Sequence, residues 1–138
     1  MGDDRYAALT GIEVVEARPG FAKTRLQLAE KHLNGHGRIQ GGVIFTLADY
    51  TSALASNMAG IPNTAVTASI SYLRGVWGQG VLTAEGKVLK AGRRASFVSV
   101  DVVNDEGKLV ATFQSNTMTV EGVEPILTPG GGTGSIKK

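Results

Sequence analysis

One segment of the chain places small and apolar residues at the period of an α-helix. Between Val43 and Met58 these residues recur at intervals of three and four positions, which predicts a helix with a buried face. The only charged residue between Gly42 and Gly60 is Asp49. Since an ordinary surface helix carries several charges on its outer face, we expect this helix to be covered on nearly all sides.

Six other segments show patterns typical of β-strands. Two flank the turn pair Pro19-Gly20 and predict a hairpin, in which the second segment alternates apolar and polar residues and so has one solvated face. Four more follow the helix and are separated by short turns rich in Gly, Asn and Asp. Turns this short require antiparallel neighbours. The predicted strands are 12–18, 21–29, 64–73, 81–90, 95–104 and 109–120.

The order of these elements predicts an α+β fold, with one long central α-helix wrapped by a curved, mostly antiparallel sheet of five or six strands. A single sheet does not easily cover all sides of a helix with so little charge. The uncovered side favours burial against a second copy of the chain, in a homo-oligomer. We expect an N-terminal arm or short helix at 1–10, one domain at 11–122, and a flexible tail at 123–138.

Charge and composition exclude several classes of function. The net charge of +2 comes entirely from Lys137 and Lys138, and the other residues carry 12 basic and 12 acidic side chains. A neutral domain lacks the basic stripe that nucleic-acid binding needs. The absence of Cys excludes disulfides, thiolate zinc sites and cysteine nucleophiles. With no signal-like start and no apolar run of membrane-spanning length, the sequence predicts a soluble cytoplasmic protein without nucleic-acid or membrane partners.

A glycine-rich segment leads directly into the helix and marks the candidate site. It reads Asn34-Gly35-His36-Gly37-Arg38-Ile39-Gln40-Gly41-Gly42. The unpaired N–H groups at a helix start favour negative charge, and glycine allows a ligand to approach closely. Asp49 is expected to be partly desolvated, which raises a carboxyl pKa and suits proton transfer or nucleophilic attack.

Four stretches match the motifs of one known family. They are the segment 34–42, Leu47-Ala48-Asp49, Tyr72-Leu73-Arg74, and Lys90-Ala91-Gly92-Arg93-Arg94. On these residues the chain, over about 12–120, resembles the hotdog-fold acyl-CoA thioesterases, in particular their phenylacetic-acid-pathway subfamily. The resemblance implies subunits that pair edge to edge, dimers that pair again into a homotetramer, and no metal or redox cofactor. It favours aryl-acetyl-CoA or hydroxyaryl-acetyl-CoA as the substrate, with medium-chain acyl-CoA as the alternative.

Thioester hydrolysis needs a polarised carbonyl and an attacking water or carboxylate. We assign the first role to the backbone N–H of Gly41, and the second to Asp49 as general base or nucleophile. These residues are eight positions apart, about 12 Å along one helix, so they meet across a dimer interface or not at all. The resemblance implies that Asn34 and Gly41 of one chain face Asp49 of the other.

Two positions depart from the family pattern. Gln40 stands where the family has His before Gly-Gly, and an amide can hydrogen-bond but cannot take a proton at neutral pH. The family also places Ser or Thr just after the helix. Counting forward from Asp49 gives Thr67, whereas counting back from Tyr72 gives Ala65. We assign the position to Thr67.

The remaining candidate residues concern the rest of the substrate. CoA carries three phosphate groups, which need cations near the mouth of the site. The candidate substrate-binding residues are Gly42, Gln40, Arg74, Lys90, Arg93 and Arg94. In contrast, we expect Trp77 and Phe97 to be packing residues rather than platforms for the substrate, and His32 to lie in a surface loop.

Other functions share parts of this pattern. A non-catalytic acyl-CoA or acyl-carrier binding module of the same fold would gain little from a desolvated Asp49. A hotdog dehydratase needs a catalytic His, for which His36 is the only candidate in the loop, and a phosphate-binding loop needs a Lys-Ser/Thr pair that is missing. Asn34 is by default a turn or capping residue. Turnover measured with and without Asp49 separates an enzyme from a binding module.

Overall fold

The computed structural model of the protein describes residues 4–57 and 62–120. The helices are α1 (Arg5–Thr10), a short 3-10 helix (Glu30–His32) and α2 (Gly41–Asn57). The strands are β1 (Ile12–Arg18), β2 (Phe21–Gln27), β3 (Asn63–Tyr72), β4 (Val81–Ala91), β5 (Ala95–Val103) and β6 (Leu109–Thr119). In these two ranges no helix has both the length and the apolar character needed to span a membrane. The predicted tail at 123–138 lies outside the described residues.

The strands form one antiparallel sheet in the order β1-β2-β4-β5-β6-β3. This confirms the predicted central helix on an antiparallel sheet, with six strands rather than five. The observed ends of the strands lie within two residues of the predicted ones. Strand β2 ends at Gln27 rather than at 29 because the chain turns there toward the 3-10 helix that begins at Glu30.

Helix α2 packs on one face of the sheet through its apolar residues. Leu47 and Leu54 are fully buried there, and burial of each stabilises the fold by about 1.5–3 kcal/mol. Strand β4 carries Gly86 beneath the helix, where a Cβ would lie 3.2 Å from Thr51 Cγ2 and 3.3 Å from Val100 Cγ2. The absence of a side chain at Gly86 therefore allows α2 to lie close to the centre of the sheet.

Two buried hydroxyl pairs fix the rotation of α2 about its axis. Thr51 Oγ1 lies 2.7 Å from Thr24 Oγ1 on β2, and Ser52 Oγ lies 2.8 Å from Ser115 Oγ on β6. Because buried hydroxyls need hydrogen-bond partners, these pairs disfavour other rotations of the helix. The direction in which Asp49 points is set in this way.

One side of α2 remains partly open within a single chain. Gly42 is exposed, and Thr46, Asp49 and Ala53 are only partly buried. Their spacing of three and four residues places them in one row, which we call the open stripe of α2. The sheet and α1 cover the other sides of α2. The predicted cover on nearly all sides is therefore missing along the open stripe.

Strand β3 forms one edge of the sheet, and most of its residues are exposed on both faces. Its register with β6 shifts between Ala65 and Thr67, which marks a β-bulge at Val66. Edge strands carry a row of unpaired backbone N–H and C=O groups that can pair with another chain. The β3 edge is therefore available for pairing with another strand.

Three predicted side-chain environments are wrong. His32 is buried rather than exposed, because its ring is hydrogen-bonded between α1 and the chain before the 3-10 helix. Trp77 is 61% exposed rather than packed. Phe97 is 43% exposed, because it alternates with the buried Ser96 and Val98 and so lies on the face of the sheet away from α2.

Candidate active site

Asn34 shapes the loop that leads into α2. Its side-chain Oδ1 accepts hydrogen bonds from the backbone N–H groups of His36, at 2.8 Å, and Arg38, at 3.1 Å. Gly37 completes the turn with a φ of 76°, which favours glycine. Asn34 therefore acts as a turn residue, as its type predicts. Among the described residues, nothing accepts a hydrogen bond from its Nδ2.

The first turn of α2 is held by contacts with two other segments. The N–H of Gln40 donates to the carbonyl of His32 at 2.9 Å, and the Tyr72 hydroxyl donates to the carbonyl of Gly41 at 3.0 Å. A Cβ on Gly41 would lie 3.2 Å from Tyr72 Cζ and Oη. Glycine therefore lets the Tyr72 ring lie this close, and a side chain at this position would push the ring away. The first N–H groups of the helix have no intrahelical acceptor.

A cavity of about 260 Å³ opens at this helix start. Three of the predicted site residues line it, namely Asn34, Gly41 and Arg74. Arg38 and Tyr72 line it too, although neither was among the predicted site residues. The position of Arg38 inside the glycine-rich segment was the signal available for it. Tyr72 reaches Gly41 across 31 positions of sequence, which no local pattern reveals.

Asp49 lies on the same helix but does not line this cavity. Its pKa is raised above the usual carboxyl value, first by burial, which disfavours the charged form, and second by the negative charge of Asp4. This is the direction expected from the sequence. Within residues 4–57 and 62–120, its carboxylate has no hydrogen bond or ion pair, so its oxygens are available to a ligand or a water molecule.

Gln40 and Gly42 flank Gly41, and both are exposed. A Cβ on Gly42 would meet only Gln40 Cγ, at 3.8 Å, within 4 Å. Gly42 is therefore not required by packing within the chain, in contrast to Gly41. Neither Gln40 nor Gly42 lines the cavity at Gly41, so a single chain does not place these two predicted substrate-binding residues in it.

The other predicted cations lie elsewhere in the chain. Lys90, Arg93 and Arg94 are exposed in the β4–β5 hairpin. Arg93 lines a separate cavity of about 190 Å³ together with Ala55 and Ser56, in the last turn of α2. A single chain therefore brings Arg74, but not the hairpin cations, to the cavity at Gly41.

Thr67 lies on the face of the sheet away from α2. It pairs with Asn116, while the next residue in the strand, Ala68, pairs with Ser115, whose hydroxyl meets Ser52 on α2. Since successive residues of a strand point to opposite faces, the Thr67 side chain points away from the helix. The structure does not bring Thr67 together with Gly41 or Asp49.

The arrangement offers two separate chemical functions. At the start of α2, Gly41, two arginines and Asn34 line one cavity, and the Nδ2 of Asn34 has no acceptor among the described residues. A helix start with nearby cations suits a polarised carbonyl and an anionic substrate. Further along, Asp49 offers a carboxylate with a raised pKa. In the described part of the chain, no three His, Asp or Glu side chains cluster closely enough to bind a metal ion.

Comparison with known proteins identifies the family. The sequence model of the Thioesterase superfamily matches residues 36–111. The acyl-coenzyme A thioesterase PaaI of Escherichia coli K12 is 31% identical over 120 residues, which cover 87% of this chain and 86% of that protein. Human acyl-coenzyme A thioesterase 13 is 34% identical over 103 residues, which cover 72% and 74% of the two chains.

Solved structures agree with the sequence relatives. The structure of the E. coli PaaI protein from the phenylacetic acid degradation operon superposes with a TM-score of 0.85 at 29% identity, covering 91% of this chain and 89% of that one. A hypothetical thioesterase protein with coenzyme A from Streptococcus pneumoniae TIGR4 superposes with a TM-score of 0.79 at 28% identity, covering 83% and 91%. The chain therefore belongs to the thioesterase superfamily, in the phenylacetic-acid-pathway subfamily of hotdog-fold proteins, and is a thioester hydrolase.

Proposed function

We propose that the protein hydrolyses acyl-CoA thioesters at two equivalent sites shared between the subunits of a homodimer. One observation carries the proposal. The cavity at Gly41 holds hydrogen-bond donors and cations but no base, whereas Asp49 lies on the open stripe of the same helix without a hydrogen-bond partner among the described residues. The two halves are about 12 Å apart along α2, so a second chain is needed to complete each site.

In the proposed mechanism, the thioester carbonyl oxygen accepts hydrogen bonds from the N–H of Gly41 and the Nδ2 of Asn34. Asp49 of the partner subunit takes a proton from water, and the water oxygen bonds to the carbonyl carbon. The N–H of Gly41 stabilises the resulting oxyanion. The C–S bond then breaks, and the proton returns from the Asp49 carboxyl group to the thiolate sulfur of CoA.

A nucleophilic mechanism uses the same residues. Here the Asp49 carboxylate attacks the carbonyl carbon directly and displaces the CoA thiolate, and water then hydrolyses the mixed anhydride. Both mechanisms need the same geometry at Gly41. The raised pKa of Asp49 favours proton transfer, because a carboxylate with a higher pKa is a stronger base toward water.

The relatives support the substrate class. E. coli PaaI and human thioesterase 13 are named acyl-coenzyme A thioesterases, and the streptococcal protein was solved with coenzyme A. The phenylacetic acid operon of the E. coli protein favours aryl-acetyl-CoA or hydroxyaryl-acetyl-CoA, with medium-chain acyl-CoA as the alternative. In this proposal the protein acts in the cytoplasm as a dimer of dimers.

The exposed β3 edge supports the proposed dimer. Pairing of two β3 strands would continue the sheet from one subunit to the next. Arg74 lines the cavity and is the first candidate for binding a CoA phosphate. Lys90, Arg93 and Arg94 do not line this cavity within one chain, and in the proposed dimer the second subunit contributes them.

The proposed function is tested by release of free thiol from aryl-acetyl, benzoyl and straight-chain acyl-CoAs. We expect Asp49→Asn to lower kcat about 10²- to 10⁴-fold relative to the wild type. Asp101→Asn is the matched control, because Asp101 is exposed on the face of β5 away from α2. If no thioester is hydrolysed but acyl-CoA still binds, the protein is a binding module of the same fold and the proposal is wrong.

A further inference from the structure

An exposed arginine and tryptophan pair lies between two cavities. The guanidinium Cζ of Arg38 lies 4.7 Å from the centre of the Trp77 ring, and Trp77 remains 61% exposed. Arg38 lines the cavity at Gly41, whereas Trp77 lines a neighbouring cavity of about 310 Å³. Gly75 and Val76 line both cavities. The pair thus stands at the boundary between the candidate active site and the neighbouring cavity.

The backbone holds this pair in place. Arg38 and Trp77 form an antiparallel bridge, and the N–H of Ile39 donates to the carbonyl of Val76 at 2.9 Å. The turn after Trp77 packs tightly, since a Cβ on Gly78 would lie 2.8 Å from Leu33 Cδ2. The aromatic ring is therefore presented to solvent by a fixed backbone, which lowers the entropy cost of binding a ligand.

Charges of opposite sign lie on the two sides of Trp77. Arg38 and Arg74 line the cavity at Gly41, whereas Asp105 and Glu106 line the neighbouring cavity. Phosphate groups are attracted to the first side and repelled by the second. Asp105 already accepts a hydrogen bond from the N–H of Val81, at 3.1 Å to Oδ2. Its remaining lone pairs and the exposed carboxylate of Glu106 suit a hydrogen-bond donor such as the amino group of a base.

We propose that Arg38, Arg74 and Trp77 bind the nucleotide end of an acyl-CoA. The adenine ring stacks on Trp77 with its amino group toward Asp105 and Glu106, while Arg38 and Arg74 bind the phosphates. This inference rests on the proposed function, and it adds Arg38 and Trp77 to the substrate-binding residues. It also explains why the bulky, exposed Trp77 sits beside a catalytic cavity rather than in the core.

Trp77 is the only tryptophan of the chain, so its fluorescence reports on this site directly. The probe is adenosine 3′,5′-bisphosphate, which is the nucleotide of CoA without its outer 5′-phosphate and its pantetheine arm. We expect saturable quenching in the wild type and an affinity about tenfold lower in Arg38→Gln, because a charge-assisted phosphate contact is lost. Arg18→Gln is the matched control, since Arg18 also lies over an aromatic ring, Phe21, but lines neither cavity.

Kinetics supply a second, independent readout. We expect Arg38→Gln and Trp77→Leu to raise KM for an acyl-CoA about tenfold with kcat unchanged, and Trp77→Phe to restore part of the loss. The same acyl group on pantetheine, which has no nucleotide, should show equal KM values in all these variants. A purely structural role of the pair would change both substrates together.

Two results would overturn the inference. One is binding of the bisphosphate with equal affinity to the wild type and to Arg38→Gln, and the other is a KM that rises equally for the CoA and pantetheine thioesters. Failure of the proposed function gives a different result from failure of this inference. In that case no thioester is hydrolysed, while the fluorescence titration still shows whether the nucleotide binds at Trp77.

Discussion

Asp49 is a carboxylate whose surroundings stabilise its neutral form. Burial removes water from it, and the charge of Asp4 at the start of α1 adds repulsion. No described cation or hydrogen-bond donor compensates, so the pKa rises. At the scale of a single residue, this makes Asp49 a stronger base and also a source of instability for the fold.

Removing the charge of Asp4 should change the pH dependence of activity. Asn caps a helix about as well as Asp, so Asp4→Asn keeps the hydrogen bond to the N–H of Ala7 while it removes the repulsion. We expect the pKa of Asp49 to fall and the acid limb of the kcat profile to move to lower pH. Asp101→Asn serves as the control, and an unmoved acid limb in Asp4→Asn would contradict the assignment of that limb to Asp49.

Replacement of Asp49 should stabilise the protein near neutral pH. A carboxyl group whose pKa is higher in the folded state binds protons more tightly when folded, so its contribution to stability falls as pH rises from the usual value of 3.8 through the folded pKa. In Asp49→Asn this loss of stability with rising pH does not occur, because the side chain has no carboxyl group. Urea unfolding should therefore show a more stable variant at pH 7 and a smaller difference at pH 4. A variant that is less stable at pH 7 would show that Asp49 has a compensating partner.

At the scale of elements, His32 connects α1 to the loop that carries the site. Its Nδ1 accepts from the N–H of Ala29 at 3.0 Å, which leaves the hydrogen on Nε2 to donate to the carbonyl of Thr10 at 2.7 Å. The carbonyl of His32 accepts from Gln40, immediately before α2. One side chain thus fixes α1, the 3-10 helix and the start of α2 relative to one another.

Loss of this side chain should destabilise the fold. His32→Ala leaves the Ala29 N–H and the Thr10 carbonyl without their partner, which should cost about 1–3 kcal/mol in the free energy of unfolding. The chain contains one other histidine, His36, which is exposed, and His36→Ala should change the stability little. Equal stability of the two variants in urea unfolding would show that the ring of His32 is not a structural link.

Local sequence patterns predicted the elements well, because periodicity and turn residues act over short distances. The position of Asp49 on a largely uncharged helix also predicted its raised pKa. The environments of His32, Trp77 and Arg38 depend instead on contacts between separate segments, such as the bond from His32 to Thr10 across 22 positions. The bulge at Val66 adds a residue to β3 and so changes the face on which Thr67 lies. Counting residues from Asp49 or from Tyr72 takes no account of such a bulge.

At the scale of the whole molecule, the sheet has two edges and the proposed dimer uses only one. Strands β3 and β1 are the edges, and each has a register shift at an exposed valine, Val66 in β3 and Val15 in β1. These valines are similarly exposed, at 55% and 51%. Lysine on an edge strand opposes pairing with another strand.

This symmetry provides a matched pair of variants for the dimer. We expect Val66→Lys to raise the dimer dissociation constant about tenfold in sedimentation equilibrium, and Val15→Lys to leave it unchanged. Activity should fall together with dimer content in Val66→Lys, since each site needs two chains. Dissociation caused by Val15→Lys alone would place the interface on the opposite edge.

The shared site is tested most directly by a heterodimer of two inactive chains, Asp49→Ala and Gly41→Pro, purified through different tags. Each homodimer should be inactive, because it lacks either the base or the N–H of Gly41. The heterodimer combines an intact Gly41 from one chain with an intact Asp49 from the other at one of its two sites. We predict about half of the wild-type kcat per dimer in the thiol-release assay. No activity in the verified heterodimer, when both homodimers are folded and dimeric, would contradict a site shared between subunits.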